Sequence, residues 1–207
     1  MSEDEEAGED IKVILVGEAG TGKTSLIKVS VGEKFQENTS STYLSTFVTK
    51  SFTKNEKKYI LNIWDTAGQE KYRAMTKIFT KNAKIVIFVY SIDNKESFEG
   101  LKSHWVKSIK DSLGDKPICG MVGNKYDLFL KEEVKEEEAK EFAIQNDMRF
   151  QLVSAKAEPE GFINFLSILL DEFLGKGDIG PKRETIFINK DDHNNKERSN
   201  KKKCCKK

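Results

Sequence analysis

The chain has 207 residues, enough for one domain and at most two, and combines 37% hydrophobic with 33% charged residues, the balance of a globular body with charged margins. Its formal net charge of +1 conceals a split: residues 1–10 hold six acids and no base, residues 175–207 hold eleven Lys or Arg against five Asp or Glu, and the body between is close to neutral, which argues against a nucleic-acid binder. No run approaches the roughly 18 apolar residues of a membrane helix, and three cysteines, two of them terminal, make no disulfide framework and suit a reducing compartment. The acidic start has no apolar core for a secretory signal, and Ser2 stands where N-myristoylation needs Gly.

In chain order, IKVILVG (11–17) is an apolar run ending in Gly and predicts a buried strand. Residues 21–35 have helical character. Residues 46–65 alternate around Asn55-Glu56 as the two strands of a hairpin. KIVIFVYS (84–91) predicts a second buried strand. Across 97–113, Phe98, Leu101, Trp105 and Ile109 recur at threes and fours, the face of a helix, with His104 as a surface or half-buried residue on it. KPICGMVGN (116–124) predicts a third buried strand that encloses the Cys119 thiol. Residues 131–147 read as a charged helix with Val134, Phe142 and Ala143 turned inward and a solvated outer face. RFQLVSA (149–155) predicts a fourth buried strand, and 161–174 a last amphipathic helix. Apolar strands alternating with helices imply an α/β fold: a mostly parallel six-stranded sheet, one strand antiparallel, with helices on both faces. The folded domain spans 11–174. The acidic residues 1–10 and the tail 175–207 hold too little apolar surface to offset the entropy of ordering them, although the short piece TIFIN (185–189) offers the tail one place to dock.

Three stretches carry chemistry. GEAGTGKT (17–24) matches G-x-x-x-x-G-K-[ST] between a strand and a helix, the context in which glycines let backbone amides curl around a phosphate chain. Gly17, Gly20 and Gly22 supply that freedom, with Glu18, Ala19 and Thr21 between them and Ser25 following on the helix. Lys23 brings a point charge to the β- and γ-phosphates, and the Thr24 hydroxyl suits Mg²⁺. NKYD (124–127) and VSAK (153–156) end neighbouring strands. The Asp127 carboxylate pairs with the ring N–H and exocyclic amine of guanine, a donor pair adenine lacks. Asn124 is suited to tie its loop to the phosphate loop and the Lys125 stem to cover a ring face, and Ser154, Ala155 and Lys156 join them as nucleotide-binding candidates at the carboxyl end of the neighbouring strand. WDTAGQE (64–70) ends the second hairpin strand. There Asp65 is placed to hold a water on Mg²⁺, the Gly68 amide to reach a γ-phosphate, and Gln69 to orient an attacking water. Trp64, just before the metal aspartate, reads as core.

These residues resemble the Ras superfamily of small GTPases over about Ile11 to Leu174, with a P-loop NTPase G domain as the implied fold. By that resemblance Phe35, 12 residues after Lys23, lies beside the guanine, and Thr42, 19 after Lys23 and 23 before Asp65, is the switch I ligand of Mg²⁺, with Ser40, Ser41, Ser45 and Thr46 as competitors for that place. IWDTAGQEKYRAMT and FVYSIDNKESF look most like the Rab family. So does the terminal Cys204-Cys205 pair among lysines, which resembles the paired cysteines of Rab geranylgeranylation, since two chains anchor where one is marginal and lysines add attraction to anionic lipid. The alternative is a chance pair in an unmodified tail.

The resemblance implies a monomer that hydrolyses GTP to GDP with Mg²⁺ and regulates vesicle traffic from the cytoplasmic face of intracellular membranes. Its implied partners are an exchange factor, a GTPase-activating protein, effectors and the prenylation machinery. Two departures stand out. Thr42 is followed by YLSTF where a Rab continues Ile-Gly-Val-Asp-Phe, so effectors do not carry over from well-known Rabs. Ala19 replaces the glycine that admits an arginine finger in Ras, implying slow unaided hydrolysis. A non-cycling GTP-binding scaffold is the alternative to the switch.

Overall fold

The protein is described by a computed structural model covering residues 8–37, 46–66, 80–114 and 117–175. Six strands form one sheet: β1 (Glu9–Val16), β2 (Thr46–Lys54), β3 (Lys57–Asp65), β4 (Ile85–Ser91), β5 (Ile118–Asn124) and β6 (Arg149–Leu152), in the spatial order β2-β3-β1-β4-β5-β6. All neighbouring pairs are parallel except β2 with β3. The expected hairpin is present, with Lys54 opposite Lys57. Asn55 and Glu56 both take positive φ (49° and 65°), the backbone of the two-residue turn whose twist matches the strands it joins.

Period-two patterning sorts the core onto two faces. Ile11, Val13 and Leu15 of β1 point with Ile85, Ile87 and Val89 of β4 toward α1 (Lys23–Ser30) and α4 (Pro159–Gly175). Ile14 and Val16 point with Val86, Phe88 and Tyr90 toward α2 (Lys95–Leu113) and α3 (Glu136–Gln145). Each fully buried aliphatic side chain of this kind is worth roughly 1.5–3 kcal/mol of transfer free energy, so the faces hold the layers together without a disulfide.

The structure amends the expected elements in several places. Helix α1 stops at Ser30 rather than running to residue 35, because left-handed Gly32 and the bonds Gly32 N–H to Val29 O and Glu33 N–H to Lys28 O close its end in a Schellman arrangement. The charged helix begins at Glu136, not at 131: residues 126–131 form a 3₁₀ segment, and the Glu133 and Val134 amides are spent on the Ile92 carbonyl. Val134 is nonetheless fully buried, as is Ala143, while Phe142 is partly so. Strand β6 is half-buried throughout because it is an edge of the sheet. Cys119 is half-buried rather than enclosed. His104 is half-buried as expected. Trp64 is also half-buried, stacked on exposed Phe47 at 5.0 Å and covered by the Lys12 ammonium at 4.6 Å. The expected face of α2 is buried, yet the helix is not regular: it runs α (Lys95–Gly100), π (Leu101–Trp105), then α (Val106–Leu113).

The Tyr90 hydroxyl is buried with no hydrogen-bond partner among the described residues, while its ring packs on Phe98 at 5.0 Å. Burial, with Glu132, Glu136 and Glu138 nearby, pushes the phenol pKa up, so it stays neutral. A buried donor without a partner costs about 1–3 kcal/mol. Tyr90→Phe is therefore expected to raise stability by about 1 kcal/mol, read as a higher urea midpoint at unchanged slope. A loss of that size would show that the hydroxyl is satisfied.

Candidate functional site

The parallel strands all end at one edge of the sheet, and the chemistry-bearing loops collect there, where ligands bind in open α/β sheets. From β1 the chain enters the loop 17–22 and then α1. At Gly17 (φ 146°) a Cβ would lie 2.1 Å from the Val89 carbonyl oxygen, and at Gly22 (φ 89°) 2.3 Å from Asn124 Nδ2. Neither position admits a side chain, for reasons of space as well as backbone. Gly22 is also the N-cap of α1 and brings no capping side chain, and the first turn holds no acid. The positive end of the helix thus faces the loop, the arrangement that receives phosphate.

Lys23 is 5% exposed. Its ammonium donates to the carbonyls of Gly17 (2.9 Å) and Glu18 (2.8 Å). Burial brings its pKa down to about 8, opposed by the negative charges of Asp65 and Glu18. Thr21 Oγ1 also donates to Glu18 O, at 3.0 Å. Thr24 Oγ1 donates to Asp65 Oδ2 at 2.6 Å, which joins the start of α1 to the end of β3. The next residue, Thr66, pins that end to β1 through Leu15 O at 2.5 Å. Thr24 and Asp65 therefore form a hard-oxygen pair beside the phosphate loop. That donor set fits Mg²⁺, which takes one or two protein oxygens and keeps its waters.

The second and third loops meet the first through Asn124. This residue is 1% exposed. Its Nδ2 donates to Thr21 O at 2.8 Å, and its Oδ1 accepts the Ala155 amide at 3.3 Å. One side chain thus joins the loops after β1, β5 and β6. Asp127 Oδ1 accepts the Ser154 hydroxyl at 2.5 Å, and Ser154 Oγ accepts the Ala157 amide at 2.9 Å, so the carboxylate is held from the neighbouring strand's loop. Lys125 takes a left-handed backbone (φ 63°, ψ 36°) and sets its ammonium 3.7 Å from Asp93. Phe35 is partly buried against the core face shared by α1 and α4.

The structure brings together residues 17–25, Asp65, Asn124, Lys125, Asp127 and 154–156. Thr42, Gly68, Gln69, Cys204 and Cys205 lie outside the described residues. Three contacts were not expected from the sequence. Lys156 pairs with Glu37 at 2.6 Å; each ion holds the other charged, lowering the Glu37 pKa and raising that of Lys156, although an exposed pair of this kind stabilises little. Asp93 meets Lys125. The Trp105 indole N–H donates to Glu18 Oε1 at 3.0 Å. All three join residues 32 to 119 positions apart, and no local pattern marks such pairs.

A sequence profile of the Ras family matches residues 12–170. The chain is 39% identical over 145 residues to the Ras-related protein Rab-21 of Geodia cydonium, covering 70% of this chain and 63% of that protein. It is 37% identical to the human Ras-related protein Rab-30 (70% of this chain, 71% of that one) and 34% identical over 155 residues to the GTP-binding protein ypt3 of Schizosaccharomyces pombe (75% and 72%). The chain therefore belongs to the Ras family and is a Rab-like small GTPase.

Proposed function

We propose that this Rab-like protein binds GTP and GDP at the edge joined by Asn124, hydrolyses GTP slowly, and through that cycle regulates vesicle traffic from the surface of intracellular membranes. The observation that carries the reading is the Asn124 side chain, bonded at once to Thr21 O and the Ala155 amide. It couples the loop suited to phosphates to the loops suited to guanine, which a phosphate site without base selection does not need.

In this reading Lys23 neutralises the β- and γ-phosphates and Asp127 reads guanine, with Ser154 holding its carboxylate. Phe35 and the Lys125 stem flank the base. Thr24 and Thr42 would hold Mg²⁺, with Asp65 holding a water on it. When bound, the ion supplies charge neutralisation along the phosphate chain. Gln69 orients the attacking water, and Thr42 and Gly68 report the γ-phosphate to the loops around 36–46 and 66–80, the general logic of a nucleotide switch. Catalysis is then positioning and charge, with no covalent step on the protein. An exchange factor, an activating protein and effectors complete the cycle. Prenyl chains on Cys204 and Cys205 hold the protein on the bilayer, aided by the basic tail. No helix among the described residues is long and apolar enough to cross a membrane.

Preloaded GTP is expected to be cleaved in a single turnover at the order of 10⁻⁴ s⁻¹ that unaided Ras-type sites show, and Gln69→Leu to abolish cleavage while keeping binding. Tight binding with no cleavage by either protein, with or without activating proteins, would favour the non-cycling scaffold. Phosphate binding also carries a proton signature. A lysine whose pKa falls from 10.5 to about 8 on folding binds fewer protons than the unfolded chain between those values, so the folded body gains stability as pH rises through that window. Bound phosphates return the proton. Calorimetry in buffers of differing ionisation enthalpy should therefore show proton uptake on GDP binding near pH 8.5 that disappears toward pH 7; equal proton counts at both would contradict the assignment of Lys23. In cells, Cys204→Ser/Cys205→Ser should move the protein from the detergent phase to the aqueous phase, and wild-type partitioning of the double variant would remove the lipid anchor.

A further inference from the structure

The π segment of α2 has no part in the reading so far. It inserts at Leu101–Trp105 in a helix otherwise regular from Lys95 to Leu113, and such insertions are rare and frequently occur at functional sites. Its last residue, Trp105, is 2% exposed, and a buried indole N–H requires an acceptor. That acceptor is the carboxylate of Glu18, on the phosphate loop, at 3.0 Å. At the start of the same segment, Gly100 lies directly beneath Glu18: a Cβ on it would meet Glu18 Oε1 at 2.7 Å and Cγ at 2.8 Å. Gly100 has ordinary helical angles (φ −60°, ψ −37°), so its backbone does not require glycine. Space for the Glu18 side chain does. Glu18 in turn is the residue whose carbonyl accepts both Lys23 Nζ and Thr21 Oγ1.

The loop is thus held from two sides. Asn124 grips Thr21 O on the β5 side, and Trp105 grips Glu18 on the α2 side, with the Lys23 ammonium bonded to the loop between them. We infer that Trp105 and Gly100 are positioning residues for the nucleotide phosphates, acting through Glu18 to hold the loop in the shape that presents Lys23 and the first turn of α1. The inference rests on the nucleotide-binding reading of this site. Neither residue touches the phosphates, and their effect is on how long the nucleotide stays.

Two substitutions separate positioning from simple packing. Trp105→Phe keeps the ring and removes the donor. Gly100→Ala improves helix propensity yet pushes the Glu18 side chain aside. If the two residues only support the helix, the first should weaken the fold, the second should strengthen it, and GDP release should not change. If they position the loop, both should speed release of a fluorescent GDP in Mg²⁺ by about three- to tenfold, the scale of one charge-assisted hydrogen bond partly lost. The double variant, and Trp105→Phe combined with Glu18→Ala, should release no faster than the faster single variant, since all act on one contact. Far-UV circular dichroism and a urea curve on each variant show whether it is folded. Release at the wild-type rate by folded Gly100→Ala and Trp105→Phe overturns the inference and leaves the nucleotide site standing. A wild-type protein that binds no GDP overturns both.

Discussion

An ammonium group buried to 5% exposure is the constraint around which this end of the molecule is arranged. Lys23 gives up water, and its lowered pKa measures the cost. Two loop carbonyls and the charges of Asp65 and Glu18 offset it. Each needs its own support. The carbonyls require the loop to double back under the lysine, which Gly17 and Gly22 permit. Asp65 must reach the site from the end of β3, which its bond from Thr24 and the Thr66 anchor to Leu15 secure. The Glu18 carboxylate is held by the Trp105 indole N–H, which donates to it. In a low-dielectric setting these bonds are stronger than in water and also more costly to leave unmade, so the cluster behaves as a unit.

Loops after β1, β5 and β6 are tied to one another through Asn124 and Ser154 and hang on buried parallel strands. Those bonds fix the three loops relative to one another. Asp65 ends β3 and is tied to the start of α1 through Thr24. The hairpin of β2 and β3 carries the stack of half-exposed Phe47 on Trp64, the residue before Asp65. Its strand β2 is further tied to α4 through Lys54, which reaches Ser167 at 2.7 Å and Asp171 at 2.8 Å.

Much of the fold was legible in the chain, and particular elements say why. IKVILVG and KIVIFVYS are apolar on both faces because their strands are covered on both faces. The hairpin was visible because its alternation broke at Asn55-Glu56. RFQLVSA read as equally buried but is an edge strand, since burial of a short apolar run depends on what lies beside it. The start of α3 was misplaced because acidic residues favour a helix locally, whereas two backbone amides there are claimed by Ile92. Helical spacing foresaw the buried face of α2 but not its π segment, because an inserted residue leaves the neighbours three and four apart.

The sequence by itself determined the local patterns: G-x-x-x-x-G-K-[ST] between a strand and a helix, N-K-x-D and S-A-K each following a strand, and a terminal cysteine pair among lysines. These are patterns of residue types at short spacing, legible because backbone geometry within a strand-loop-helix unit is local. What only the tertiary structure decided is how those pieces hold one another. Asn124 to Thr21, Lys156 to Glu37 and Trp105 to Glu18 join residues 87 to 119 positions apart in the chain. Their pairing depends on strand order, on which helix covers which face and on where one glycine leaves room. Those are properties of packing in three dimensions, and a linear pattern does not carry them.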